Sequence, residues 1–169
     1  SILRSCKESG LHTVLDTCGY VPWSTMKRLL RYTDLVLFDI KTIEPRKHRE
    51  ATGRSNRLIL ENAKRIARYK PIRVRVPLVP RFNDSREDVR EIARFVKEEM
   101  GSIDIDLLPY NKLGEVKFER LDRSCVHAET QSDEYVSHLQ AIIDLEVRGK
   151  RYEIDSFESF FKLFYYFLS

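Results

Sequence analysis

Acids and bases recur where the apolar runs of this 169-residue chain stop. Asp16 and Thr17 follow "LHTVL". Asp39 and Lys41 close "TDLVLFDIK". Arg73 and Arg75 sit two apart in "IRVRVPLV", and Tyr110 and Asn111 end "IDLLPYN". In a strand the side-chain period is two, so Asp39 and Lys41 point the same way, as do Arg73 and Arg75. An acid beside a base suits an α-amino-acid moiety: an ammonium takes a carboxylate, and a carboxylate takes Lys or Arg. Amide and charged groups also suit a ribose. Taken singly, each residue is better explained without a site, Asp39 and Lys41 by a rim salt bridge and Asp16 by a turn cap. The same feature at four successive strand ends favours a site, although strand ends are also where polar residues resume.

The elements that must position these residues alternate along the chain. "SILRSCKESG" reads as the end of a helix stopped by Gly10 in the left-handed conformation. A strand is expected at 11–15, followed by the turn "DTCGY" and a helix over 22–31 with Pro22 in its first turn. The unbroken apolar run Leu35–Phe38 is the pattern of a buried parallel strand. A short helix over 44–53 should stop at Gly53. The segment 55–69 is amphipathic, with Leu58, Ile59, Asn62, Ala63, Ile66 and Ala67 on one side and Ser55 or Asn56 as cap. A strand at 72–79 is limited by Pro77. A helix at 83–101 begins with acids and stops at Gly101. A strand at 103–108, a helix at 130–149 and a short strand at 150–154 follow.

This order predicts an α/β fold of βα units around a parallel sheet, open or part of a barrel, with chemistry at the carboxyl ends of the strands. In a barrel those ends converge on one mouth lined by two acids, a Lys, at least one Arg and an amide. Residues 1–155 form this unit. The aromatic tail "SFESFFKLFYYFLS", 156–169, differs in kind and reads as a cover over an exposed apolar patch, in preference to a membrane-surface or partner contact.

The net charge of +4 arises from 30 basic and 26 acidic residues spread along the chain. A mixed, solvated surface is expected, not a nucleic-acid surface. Cys6, Cys18 and Cys125 are far apart and outside any C-x-x-C pattern, which fits a reduced cytoplasmic setting better than a disulfide framework. No apolar run is long enough to span a bilayer.

Five blocks together, "CKESGLHTVLDTCGY", "TDLVLFDIK", "HREATGRSNRLILENAKRI", "IRVRVPLVPRFNDS" and "IDLLPYNKLGEVKFERL", resemble the glycyl-radical-enzyme activating proteins of the radical S-adenosylmethionine superfamily, those of the pyruvate formate-lyase type among them. The resemblance covers residues 6–122 and continues more weakly to about 155. It implies a partial (β/α)6 barrel. It further implies a 4Fe-4S cluster that binds S-adenosylmethionine, reductive cleavage to a 5′-deoxyadenosyl radical, and hydrogen abstraction from a glycine of a partner glycyl-radical enzyme. An electron donor such as flavodoxin or ferredoxin follows from the same likeness.

On this resemblance Asp39 would contact the ammonium and Lys41 the carboxylate of the methionine moiety. Asp16 and Thr17 match a position that holds a monovalent cation beside that carboxylate. Arg75 matches a strand arginine near the cofactor. Asn111 falls where the family has a His against the adenosine, which leaves hydrogen bonding in place of stacking.

The family's C-x-x-x-C-x-x-C motif and its Gly-Gly-Glu segment are absent from this sequence. The chain is therefore expected to be the carboxyl-terminal part of an activase with the first strands missing. It is expected to hold no cluster and to be inactive alone. The alternative expectation is a non-catalytic βα domain that binds a nucleotide-like ligand or a partner protein.

Overall fold

A computed structural model describes residues 2–101, 103–112, 115, 120–121 and 128–148. The expected strand at 150–154, Cys125 and the aromatic tail at 156–169 lie outside the described residues. Four strands, β1 (Val14–Thr17), β2 (Leu35–Asp39), β3 (Ile72–Pro77) and β4 (Ile105–Leu108), make one sheet in the order β1-β2-β3-β4. Each neighbouring pair is parallel. The helices are α1 (Ile2–Glu8), α2 (Trp23–Leu30), α3 (Pro45–Thr52), α4 (Arg57–Ala67), α5 (Arg86–Phe95) and α6 (Asp133–Arg148).

Strands laid down in one direction, each joined to the next by a right-handed crossover, put all the connecting helices on one face. The burial pattern agrees. Val36, Phe38, Val74, Val76, Ile105 and Leu107 are buried among Met26 and Leu30 of α2, Ile59, Ala63 and Ile66 of α4, Val89 and Ile92 of α5, and Leu139 and Ile143 of α6. Alternate positions point the other way: Asp16, Asp39, Arg73, Arg75 and Asp106 are half-buried or exposed. One face is thus an apolar floor for helices, and the other carries these charged side chains alongside Val14, Leu35, Leu37 and Leu108. This is an arc of a βα barrel, not a doubly wound sheet, and the α/β expectation holds.

Several boundaries differ from the sequence expectation. The first strand begins at Val14, not Leu11, because Leu11–Thr13 serve as an anchored link. The Thr13 N–H donates to Asp34 Oδ2 at 2.9 Å, and the Thr13 hydroxyl donates to the Tyr32 carbonyl at 2.6 Å. Asp16 and Thr17 accordingly lie inside β1, not past it. In α4, Leu58 is 37% exposed, while Ile59, Asn62, Ala63 and Ile66 are buried. Asn56 occupies the cap position without a capping bond, since its side chain is directed elsewhere. The segment after Ser85, whose hydroxyl accepts from the Asp88 N–H, runs as α5 and then as a π-helical turn, Val96–Met100, before Gly101. The stops at Gly10 and Gly53 are as expected, both at positive φ. Among the described residues no helix is long and apolar enough to cross a membrane.

Gly19 sets the height of the loop after β1. Its φ is 70°, and a Cβ there would fall 2.5 Å from the Phe38 ring. Gly19→Ala combines a left-handed backbone with overpacking, and should cost roughly 2–4 kcal/mol. Urea titration checks this; a loss below about 1 kcal/mol would mean that the loop relaxes freely.

Asp34 links the amino-terminal ends of β1 and β2 to α1. Its hydrogen bond from Lys7, then that from the Thr13 N–H, hold its carboxyl well below its ordinary value of 3.8. A carboxyl depressed in the folded state contributes stability that is complete above the unfolded value and is lost as pH falls below it. Asp34→Asn should therefore lower stability at neutral pH and flatten its decline below about pH 4. Thermal melts across that range read the slope, and an unchanged acid limb would count against the assignment.

Candidate functional site

The polar face of the sheet is built around one arginine. Arg75 and Asp39 are cross-strand neighbours in the β2–β3 register. Arg75 Nε and Nη2 donate to Asp39 Oδ1 at 3.0 and 2.8 Å. Nη2 also donates to Asp16 Oδ1 on β1. A single guanidinium on β3 thus spans β2 to reach β1. The Arg75 and Asp39 side chains are largely shielded, whereas that of Asp16 is 60% exposed. Burial opposes the Arg75 charge, but the hydrogen bonds to Asp16 and Asp39 outweigh it and hold the group protonated above its usual range.

Lys41 lies two positions beyond Asp39, past the last residue of β2, where buried and half-buried residues still alternate. It is half-buried, and its ammonium makes no hydrogen bond or ion pair with the described residues. A fixed acid, a fixed guanidinium and an uncommitted ammonium therefore share the carboxyl end of β2 and β3. Thr17, by contrast, alternates to the helix face with its register partner Phe38, and its hydroxyl accepts from the Gly19 N–H at 2.9 Å. Asn111 is exposed in the loop beyond β4 and is not part of the ion-paired trio. Next to it, Tyr110 is anchored: its N–H donates to Gln131 Oε1 at 2.9 Å and its hydroxyl to Glu115 Oε1 at 2.9 Å. Arg73 pairs with Asp106 of β4, one donor–acceptor distance being 3.0 Å.

Sequence reasoning did not single out Asp106, although the I-D-I-D alternation of 103–106 places it on the face of Arg73 and Arg75. Nor did it find the supports of the rim, three buried asparagines. Asn62 Nδ2 donates to the Gly19 and Val21 carbonyls at 2.7 and 2.8 Å. Asn56 Nδ2 donates to those of Thr42 and Ile43 at 2.7 and 3.0 Å. Asn83 Nδ2 donates to those of Lys41 and Pro77 at 2.8 and 2.9 Å, and its Oδ1 accepts from the Val79 N–H at 2.6 Å. Carbonyls leaving a parallel sheet need donors once the next strand no longer supplies them, and these amides provide them.

The donor set can be compared with the two groups that the resemblance implies. Carboxylates for an ammonium and a lysine for a carboxylate match the methionine end of S-adenosylmethionine. A cluster finds no match: among the described residues no three His, Cys, Asp or Glu side chains come together as a metal-holding set. Cys6 and Cys18 are separate, half-buried free thiols.

No family model matches the chain. Individual relatives do. The isethionate sulfite-lyase activating enzyme of Oleidesulfovibrio alaskensis is 41% identical over 150 residues, which cover 86% of this chain and 48% of that protein. The pyruvate formate-lyase-activating enzyme of Streptococcus mutans is 40% identical over 128 residues, covering 72% of this chain and 49% of the relative. Among solved structures, a domain of a pyruvate-formate lyase-activating enzyme from Bacteroides vulgatus superposes with a TM-score of 0.70 at 25% identity, covering 92% of this chain and 88% of that one. The fold and these relatives define the class first: this is an α/β domain of the radical S-adenosylmethionine type. Within it, the chain belongs to the glycyl-radical-enzyme activating enzymes, and it spans about half the length of the curated relatives it matches.

Arg75→Met would leave two carboxylates facing each other without their shared counterion. For a partly shielded pair the expected loss is roughly 1–3 kcal/mol, less at high salt. Arg75→Met combined with Asp39→Asn should recover part of it, because the unpaired charge is gone. Urea titration of the two single variants and the double checks this, and strictly additive losses would show that Arg75 and Asp39 do not interact.

Proposed function

We propose that this chain supplies the cofactor-gripping part of a glycyl-radical-enzyme activase. The observation that most supports the reading is the pair Asp39 and Lys41 at the carboxyl end of β2, with Arg75 tying Asp39 to Asp16. The 41% identity to a curated activating enzyme points the same way.

In this reading Asp39 receives the ammonium of S-adenosylmethionine and Lys41 its carboxylate. Each contact is charge-assisted, and together they fix both the position and the orientation of the methionine end. Asp16, the more exposed acid, completes the negative side of the site and, with Thr17 as a neighbour, is the place for a monovalent cation beside the carboxylate. Arg75 orients Asp39 through its two hydrogen bonds. Asn111 offers amide hydrogen bonds toward the adenosine end. When bound, S-adenosylmethionine supplies the carbon–sulfur bond whose reductive cleavage the family uses.

No set for the 4Fe-4S cluster occurs among the described residues, so no reductive step is assigned to this chain's own side chains. The chain by itself is read as binding without turnover. A glycyl-radical enzyme as protein substrate and a flavodoxin- or ferredoxin-like electron donor belong to the whole activase.

Calorimetric titration of the chain with S-adenosylmethionine tests the grip. Asp39→Asn and Lys41→Met should each weaken binding about 10- to 100-fold, the worth of one charge-assisted contact. Binding that ignores both substitutions would overturn the assignment. Binding of adenosine equal to that of S-adenosylmethionine would instead mark a general nucleotide-binding domain.

A further inference from the structure

Three consecutive backbone carbonyls leaving β2 are each taken by a buried side-chain amide. Asn83 holds that of Lys41, and Asn56 holds those of Thr42 and Ile43. The two asparagines come from different parts of the fold: Asn56 precedes α4, and Asn83 follows β3. Their exposure is 1% and 0%, so neither can contact a ligand directly. Asn83 is also the joint between two strand ends, since it bonds Pro77 and Val79 as well as Lys41. Meanwhile the Lys41 ammonium stays uncommitted among the described residues. The backbone of Lys41 is therefore fixed from beneath while its side chain remains available.

We propose that Asn83 and Asn56 are positioning residues for Lys41: by clamping the carbonyls of residues 41–43, they set where the lysine leaves the rim and hence where it meets an anionic group. This rests on the reading of Lys41 as the carboxylate contact, and deepens it. A long lysine side chain loses considerable rotamer entropy on binding. A backbone free to wander would add to that loss, so a rigid origin helps the contact without touching the ligand.

The test combines a binding cycle with a local measurement, both on the whole chain. S-adenosylmethionine is the titrant. Asn83→Ala should weaken its binding about 5- to 10-fold when residue 41 is Lys, and by less than about 2-fold in the Lys41→Met background, because a positioning effect needs its target. Asn56→Ala should behave alike, and Asn83→Ser serves if an alanine variant does not fold. Hydrogen exchange should quicken at residues 41–44 in these variants while the amides of β1 and β4 keep their protection. A merely structural asparagine would weaken binding equally in both backgrounds, or would quicken exchange throughout, and either result overturns the proposal. If Lys41→Met is itself without effect, the reading of Lys41 fails and the proposal with it. Localised exchange would then still report the clamp, so the two failures are told apart.

Discussion

The order in which the strands enter the sheet governs the rest of the molecule. Because each parallel strand is added beside the last, and each crossover has the same hand, the helices collect on one face. That face can be largely apolar, and Phe38, Val74, Val76 and Leu107 make it so. The opposite face is released from packing helices, and the chain uses it for charge. Asp16, Asp39, Arg73, Arg75 and Asp106 would each be costly on the helix side, where no water and few partners are available. On the polar side they satisfy one another across strands.

Much of this division was legible in the residues. The continuous run of Leu35–Phe38 announced a parallel strand, and period two then put Asp39 and Lys41 on one side. The doublet Arg73 and Arg75 had the same signature, and both arginines do face the acids. What could not be read was which acid each arginine takes, because that depends on register between strands far apart in sequence. The start of β1 was also hidden. Leu11–Leu15 has strand-like composition, but its first residues are held by Asp34, a tertiary contact that no local pattern encodes.

The asparagines illustrate a deeper limit. Asn62 falls on the apolar side of an amphipathic helix, and Asn56 looks like a helix cap. Both are in fact amide donors to loops elsewhere in the chain, and each has a buried Oδ1 with no partner among the described residues. A polar residue in an apolar stripe signals some buried obligation. Which carbonyl it serves is set only when the strands are in place. The family resemblance, read from five blocks, reached the class of protein because it tested many positions at once, whereas each asparagine is a single letter.

Gly19 carries a consequence for how such chains diverge. The aromatic ring of Phe38 lies where any Cβ at position 19 would have to go, and the backbone there is left-handed. Positions 19 and 38 thus constrain each other sterically, although one lies in the loop after β1 and the other on β2. A descendant that shrinks residue 38 opens room for Asn, the side chain that best tolerates this conformation, at 19. One that keeps the ring must keep the glycine. A correlated change at this pair across related sequences would be the trace of a single contact, written in inheritance and not in energy.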